Sequence, residues 1–234
     1  AAAHYNQTGG TLVAGGGIDI RSEFGRDASF SVLAGSVTGS ALTLGGALGA
    51  GSSVATVSGL GTVWNTTGAT MVGALAGGTL NILDNARALT GSAVVGNSVG
   101  ASGAVNVNGL GSNWTVNGLL TVGNVGNGLL GVASGGQVQA GSVVLNGQVA
   151  SLATAKVTGA RTRLDSDTLA VGGTRSAAIH MADSALVSSG IGIVGEGKGV
   201  GGTARVIGAG TQWVNTANLV VGQEGNGQIE VMDL

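Results

Sequence analysis

The sequence predicts an all-β fold: a right-handed, single-stranded parallel β-helix (β-solenoid) of about nine turns, organised as 50-residue, two-turn repeats. Three observations predict it. Trp64, Trp114, Leu164 and Trp213 recur at intervals of 50, 50 and 49 inside a common framework. Gly supplies 48 of the 234 residues, while Pro is absent. Between the glycines lie only short runs of strand length, alternating or rich in Val, Ile and Leu, with no helical period.

The composition excludes several other classes. Abundant Gly without Pro and without a strict three-residue period is not collagen. Disordered chains are poor in apolar residues, whereas 43% of this chain is hydrophobic and its mean hydropathy is +0.42. A net charge of -2, with 9% charged residues, gives no electrostatic footprint for nucleic acid or anionic lipid. No apolar run reaches the roughly 18 residues of a membrane-spanning helix. The absence of Cys removes disulfides, thiolate metal sites and Cys nucleophiles together. The opening AAAHYNQTGG lacks a basic segment followed by an apolar one, and the closing QIEVMDL falls inside a repeat, so the chain reads as a fragment of a longer protein.

Taken in order along a single domain, residues 1–54 are degenerate turns. Phe30 and Val32 align there with Leu80 and Ile82, and Asp19, Arg21, Glu23, Arg26 and Asp27 crowd charge into a chain otherwise short of it. Full repeats follow at 55–104, 105–154 and 155–203, with a partial one at 204–234. Their marked octapeptides are VSGLGTVW, VNGLGSNW, VTGARTRL and VIGAGTQW. Downstream of each stands an apolar–Gly pair, at Gly73, Gly123, Gly172 and Gly222. Gly25, Gly45, Gly96, Asn146 and Gly195 interleave with them, giving intervals near 23 and 27 for most of the chain. Each repeat is therefore two turns of about 25 residues, with three short strands per turn. The apolar–Gly positions are expected to be left-handed corners, with Asn146 as the next most tolerant residue. Pro would remove a ladder donor almost anywhere in such a stack. The right hand follows the usual preference of parallel crossovers. Asn113 and Thr115 flank Trp114, and Gln212 precedes Trp213, so alternation turns the Trp side chains inward.

One stretch breaks the pattern with chemistry-bearing residues. Where the other repeats have Gly, a small residue and Trp, the third has Arg161, Arg163 and Leu164, followed by Asp165 and Asp167. On a straight strand Asp165 and Asp167 share one face, a carboxylate pair suited to glycoside chemistry or to Ca²⁺. The alternative is a solvated face on which the two Arg and two Asp residues compensate one another. His4 and His180 read as surface or corner residues. The stretch GEGKGVGG around Lys198 lacks phosphate-loop spacing and a following helix, so it reads as a turn insertion. No cofactor is expected.

The series V-x-G-x-G-[ST]-x-W, L-x-V-G and G-x-G-x-[LI]-x-[VI] resembles the repeat of bacterial autotransporter passenger domains. Val107–Trp114 with Leu120–Gly123 and Gly126–Val132, and Val206–Trp213 with Leu219–Gly222 and Gly225–Val231, carry it best. Val57–Trp64 follows closely, and residues 155–203 keep the apolar skeleton but lose the G-x-W signature. The resemblance implies a non-enzymatic passenger exported by type V secretion to a Gram-negative cell surface, attached through a translocator barrel that is not in this sequence. It further implies an adhesin or self-association factor, whose partners are host surface or matrix proteins, glycans or like chains. A carbohydrate-active β-helix and a plain stalk stay open as alternatives. No catalytic residue of the family maps onto this chain.

Overall fold

A computed structural model describes residues 2–47, 51–146 and 152–233. Among these every regular element is a strand and every pairing is parallel, which makes the fold a parallel β-solenoid of nine turns. The first turns are β1 (Ala3–Val13) with β2 (Ile18–Ile20) and β3 (Ala28–Gly39) with β4 (Leu42–Leu44). Turns three to five are β5 (Ser52–Ser58) with β6 (Val63–Val72), β7 (Gly77–Leu83) with β8 (Arg87–Val95), and β9 (Ser102–Asn108) with β10 (Asn113–Val122). Turns six to eight are β11 (Asn127–Ala133) with β12 (Gln137–Leu145), β13 (Ala153–Thr158) with β14 (Arg163–Val171), and β15 (Ala177–Ala182) with β16 (Leu186–Val194). β17 (Gly201–Ile207), β18 (Gln212–Asn215) and β19 (Leu219–Val221) form the ninth turn, and β20 (Asn226–Met232) begins another.

Each longer strand bends in its middle, so a turn has three sides. The first face carries β5, β7, β9 and their equivalents. The second and third faces carry the two halves of β6, β8, β10 and their equivalents. At about 4.8 Å per turn the stack is roughly 40–45 Å long. The described residues up to Val54 belong to this stack, since β1 pairs with β3 and β3 with β5, with bulges around Gln7 and Thr8. Phe30 stands level with Ala55 and Leu80, as the alignment predicted. The charged stretch lies around β2 and the corner after it, where Arg21 pairs with Asp19 at 2.6 Å and Asp27 accepts the Ser52 amide at 2.8 Å.

The interior is built of stacked columns. Val57, Ile82, Val107, Val132, Val157 and Met181 form one, all fully buried. Val37, Trp64, Ala88, Trp114, Val138, Leu164, Val187 and Trp213 form another, on the second face. Ala88 lies between the indoles of Trp64 and Trp114. Trp64 and Trp114 are 2% and 1% exposed, which bears out the inward reading, while Trp213 is partly buried and donates its ring N–H to Ser189.

The corner between the third and first faces is the predicted glycine line. Gly73, Gly96, Gly123, Gly172, Gly195 and Gly222 have φ between 73° and 82°. Each amide, and that of Asn146, bonds to a carbonyl one turn back: Gly96 to Val72, Gly123 to Val95, Asn146 to Val122, Gly172 to Leu145. Asn146 keeps the ladder but is not among the positive-φ residues. Its side chain serves the corner instead, Oδ1 accepting the Thr174 amide at 2.7 Å.

The two-turn period has its origin at the corner between the first and second faces, where two corner types alternate. In turns four, six and eight a tight turn holds Asp84 and Asn85, Ser134 and Gly135, or Asp183 and Ser184 at positive φ. In turns three, five and nine the G-x-G-[ST] segment, and in turn seven its variant Gly159–Thr162 with Arg161 in place of the second Gly, makes a wider corner, whose hydroxyl donates back to the carbonyl four residues earlier. That same hydroxyl accepts an amide from the preceding tight turn: Asn85 to Ser112, Gly135 to Thr162, Ser184 to Thr211. The repeated Ser or Thr at positions 112, 162 and 211 thus satisfies two backbone groups, one in its own turn and one in the turn below.

Candidate binding faces

The four residues singled out by sequence do not converge. Arg161 occupies a wide corner at φ 65°, where Gly61, Gly111 and Gly210 stand in the equivalent turns. Arg163 and Asp165 lie at alternate outward positions of β14 on the second face, with Arg163 Nε donating to Asp165 Oδ2 at 2.5 Å. Asp167 falls beyond them at the bend, level with Gly141 and Gly190, and is exposed. The two carboxylates therefore do not share a face, because the chain turns after Ser166 toward the third side. The Arg163–Asp165 pair is too exposed to add more than about 1 kcal/mol. Asp165 Oδ1 and Ser166 Oγ, by contrast, are buried without partners.

Arg163 does join a longer outward column. Val63, Arg87, Asn113, Gln137 and Arg163 stand on successive rungs, beside Asn65, Leu89, Thr115, Gln139 and Asp165. Between the two columns runs a shallow groove of about 520 Å³ over turns three to six, bordered by Arg87, Leu89, Asn113, Thr115 and Gln137. Thr115 donates to Asn113 Oδ1 at 3.0 Å. The groove offers amides, a hydroxyl and the Arg87 guanidinium, a donor–acceptor mix suited to sugar hydroxyls or to the same wall of a second molecule.

The first face carries a second column that the sequence reading passed over. Thr56, Asn81 and Asn106 are stacked, with Asn106 Nδ2 donating to Asn81 Oδ1 at 2.9 Å. After Gly131 the column continues as Lys156, His180, Arg205 and Glu230. Arg205 Nε donates to Glu230 Oε2 at 2.7 Å. His180 lies mid-strand on β15, half-buried, rather than at a corner. Burial first, then the charges of Arg205 and Lys156, hold its pKa below the ordinary imidazole value, with Glu230 opposing weakly. The signal was present in the numbering: Lys156, His180 and Arg205 are 24 and 25 residues apart, one turn each.

Among the described residues no group of three or more His, Asp or Glu side chains gathers as a metal site. What fold and faces define is a solenoid rod with long polar walls, one nearly uncharged and one ending in a cationic stack. The chain matches no protein-family model, no curated protein and no solved structure.

Proposed function

We propose that this chain is a non-enzymatic passenger of autotransporter type, displayed on a Gram-negative cell surface and acting as an adhesin or self-association factor. The carrying observation is the second face: Asn113, Thr115, Gln137 and Gln139 on consecutive turns, with Arg87 and Leu89 on the rung before them, in a stretch where residues 28–150 contain only Asp84 and Arg87 as charged side chains. Little repulsion opposes the lateral approach of two such walls. Contacts weak at each rung add along the rod, because the first rung brings the others into register. The repeat's resemblance to passenger domains and its solenoid fold support export and display.

The test is display of the whole chain on cells, followed by settling and adherence assays. Asn113→Lys with Thr115→Lys puts like charges on both partners of a lateral contact and is expected to abolish clumping. Clumping unchanged by those substitutions overturns the choice of face. Hydrolysis or elimination of a polysaccharide that disappears with Asp165→Asn or Asp167→Asn overturns the non-enzymatic reading.

A further inference from the structure

We propose that the cationic column Lys156–His180–Arg205 on the first face, with the groove beside it, is a binding site for an anionic polysaccharide lying along the rod. This deepens the adhesive reading and rests on it. The register places the three side chains on consecutive rungs of β13, β15 and β17, about 4.8 Å apart. Within turns seven to nine the other outward positions of this face are Thr154, Thr158, Ala178, Ala182, Thr203 and Ile207, none of them charged. The acid of the column, Glu230, is held at its end by Arg205, with Gln228 on its other oxygen. Lys156 has no ion-pair partner among the described residues.

Beside the column the surface is concave. A groove of about 240 Å³ is floored by small residues, Thr154, Ser176, Ala178, Gly201 and Thr203. A second of about 240 Å³ continues it toward turn five through Asn127 and Leu129, sharing Leu152 and Thr154 with the first. Small side chains let a sugar ring approach the sheet closely while carboxylate or sulfate groups reach the cations at the rim. His180 reports the field there. The groups facing it from the neighbouring strands are Lys156, Arg205 and Glu230, with Arg175 and Asp183 at the corners of its own turn. Its basicity is depressed first by burial and then by the neighbouring charges of Arg205 and Lys156, with Glu230 opposing. No Phe, Tyr or Trp lies on this face from β9 to β20, so the extended stacking platform of single-strand nucleic-acid binders is missing and a saccharide fits better.

The experiment titrates the whole chain by NMR with polygalacturonate, dextran sulfate, uncharged dextran and single-stranded DNA, following the ring protons of His180 with His4 as internal reference. A polyanion seated on the column raises the His180 midpoint and leaves that of His4 in place. The carboxylated and sulfated probes separate the two sources of negative charge. Lys156→Gln with Arg205→Gln is expected to weaken binding about tenfold or more and to remove the His180 response. Lys156→Gln alone, at an exposed position, gives a smaller loss in a chain whose fold it leaves intact. Equal binding of uncharged dextran, tighter binding of DNA with the same His180 response, or indifference to the charge substitutions overturns the proposal. Failure of every polysaccharide while displaying cells still clump through the second face overturns this site and leaves the adhesive reading standing. Failure of both removes both.

Discussion

Replacing Trp114 by Ala tests the packing of the solenoid directly, because Trp213 in the same column supplies a matched control. Trp114 is 1% exposed, between Ala88 below and Val138 above. A buried indole removes about 150–250 Å² from water, worth about 4–6 kcal/mol at ~25 cal/mol per Å². Allowing for what Ala still buries, the expected cost is about 3–5 kcal/mol. The upper part of that range is expected, since β10 is held by ladders to β8 and β12 and cannot move inward to fill the space. Trp213 is only partly buried, and its loss forfeits part of this area plus one hydrogen bond to Ser189, about 2 kcal/mol in all. Guanidinium unfolding followed by far-UV circular dichroism measures both variants in the same chain. The reasoning fails if the two substitutions cost the same, or if Trp114→Ala costs less than about 1.5 kcal/mol.

Other outcomes follow from single positions. Gly103 has ordinary φ, but a Cβ there would lie 2.2 Å from Val72 O and 2.4 Å from Gly96 N. Gly103→Ala should therefore lower the unfolding midpoint more than Gly100→Ala, which has open space and pays only for its φ of 78°. Arg161→Gly should raise stability by up to about 1 kcal/mol, since Gly relieves the left-handed strain, offset in part by the greater freedom of the unfolded chain; a lower melting temperature contradicts this. Thr162→Val strands the Gly135 amide and removes the bond to Thr158 O, and should cost about 1–3 kcal/mol in the same unfolding assay. Because His180 binds its proton less readily in the folded chain, the unfolded chain holds more protons below about pH 6.5, and stability falls as pH drops through that value. His180→Gln should flatten that part of the stability–pH profile, and an unchanged slope would assign it to other groups.

The fold was legible because a solenoid repeats its constraints once per turn. From the third turn on, each inward residue and each corner residue meets its equivalent 23 to 27 positions away, so Trp64, Trp114 and the line from Gly73 to Gly222 show up as spacing. Of the second glycine column, Gly78, Gly103, Gly128, Gly202 and Gly227, only Gly128 and Gly227 were visible in the G-x-G pattern, and the reason for the column was not. A Cβ there would strike the amide of the corner glycine just before it in the chain and a backbone carbonyl of the turn beneath, and the second of these contacts exists only in the assembled stack. The carboxylate pair was misplaced for the opposite reason. Alternation predicts a shared face for Asp165 and Asp167 on a straight strand, and nothing local announces the bend between them. The neighbouring turns do announce it, through Gly141 and Gly190 at the same level.

Outward positions obey no such repetition, and this is why the fold of the chain is easier to read than its partner. The column that begins as Thr56, Asn81 and Asn106 and ends as Lys156, His180, Arg205 and Glu230 keeps its geometry while its chemistry changes completely. An outward side chain meets solvent and its two rung neighbours, so exchanging it costs little stability. An inward Val or a corner Gly has no such freedom. Chemistry on this scaffold is therefore written along the rod axis, in residues one turn apart, and not in contiguous motifs. Reading the sequence at a stride of about 25 residues brings Arg87, Asn113, Gln137 and Arg163 together on one wall and Lys156, His180 and Arg205 together on another. A ligand matched to such a surface is itself long and periodic along the axis, which favours a polymer or a second rod over a small molecule in a closed pocket.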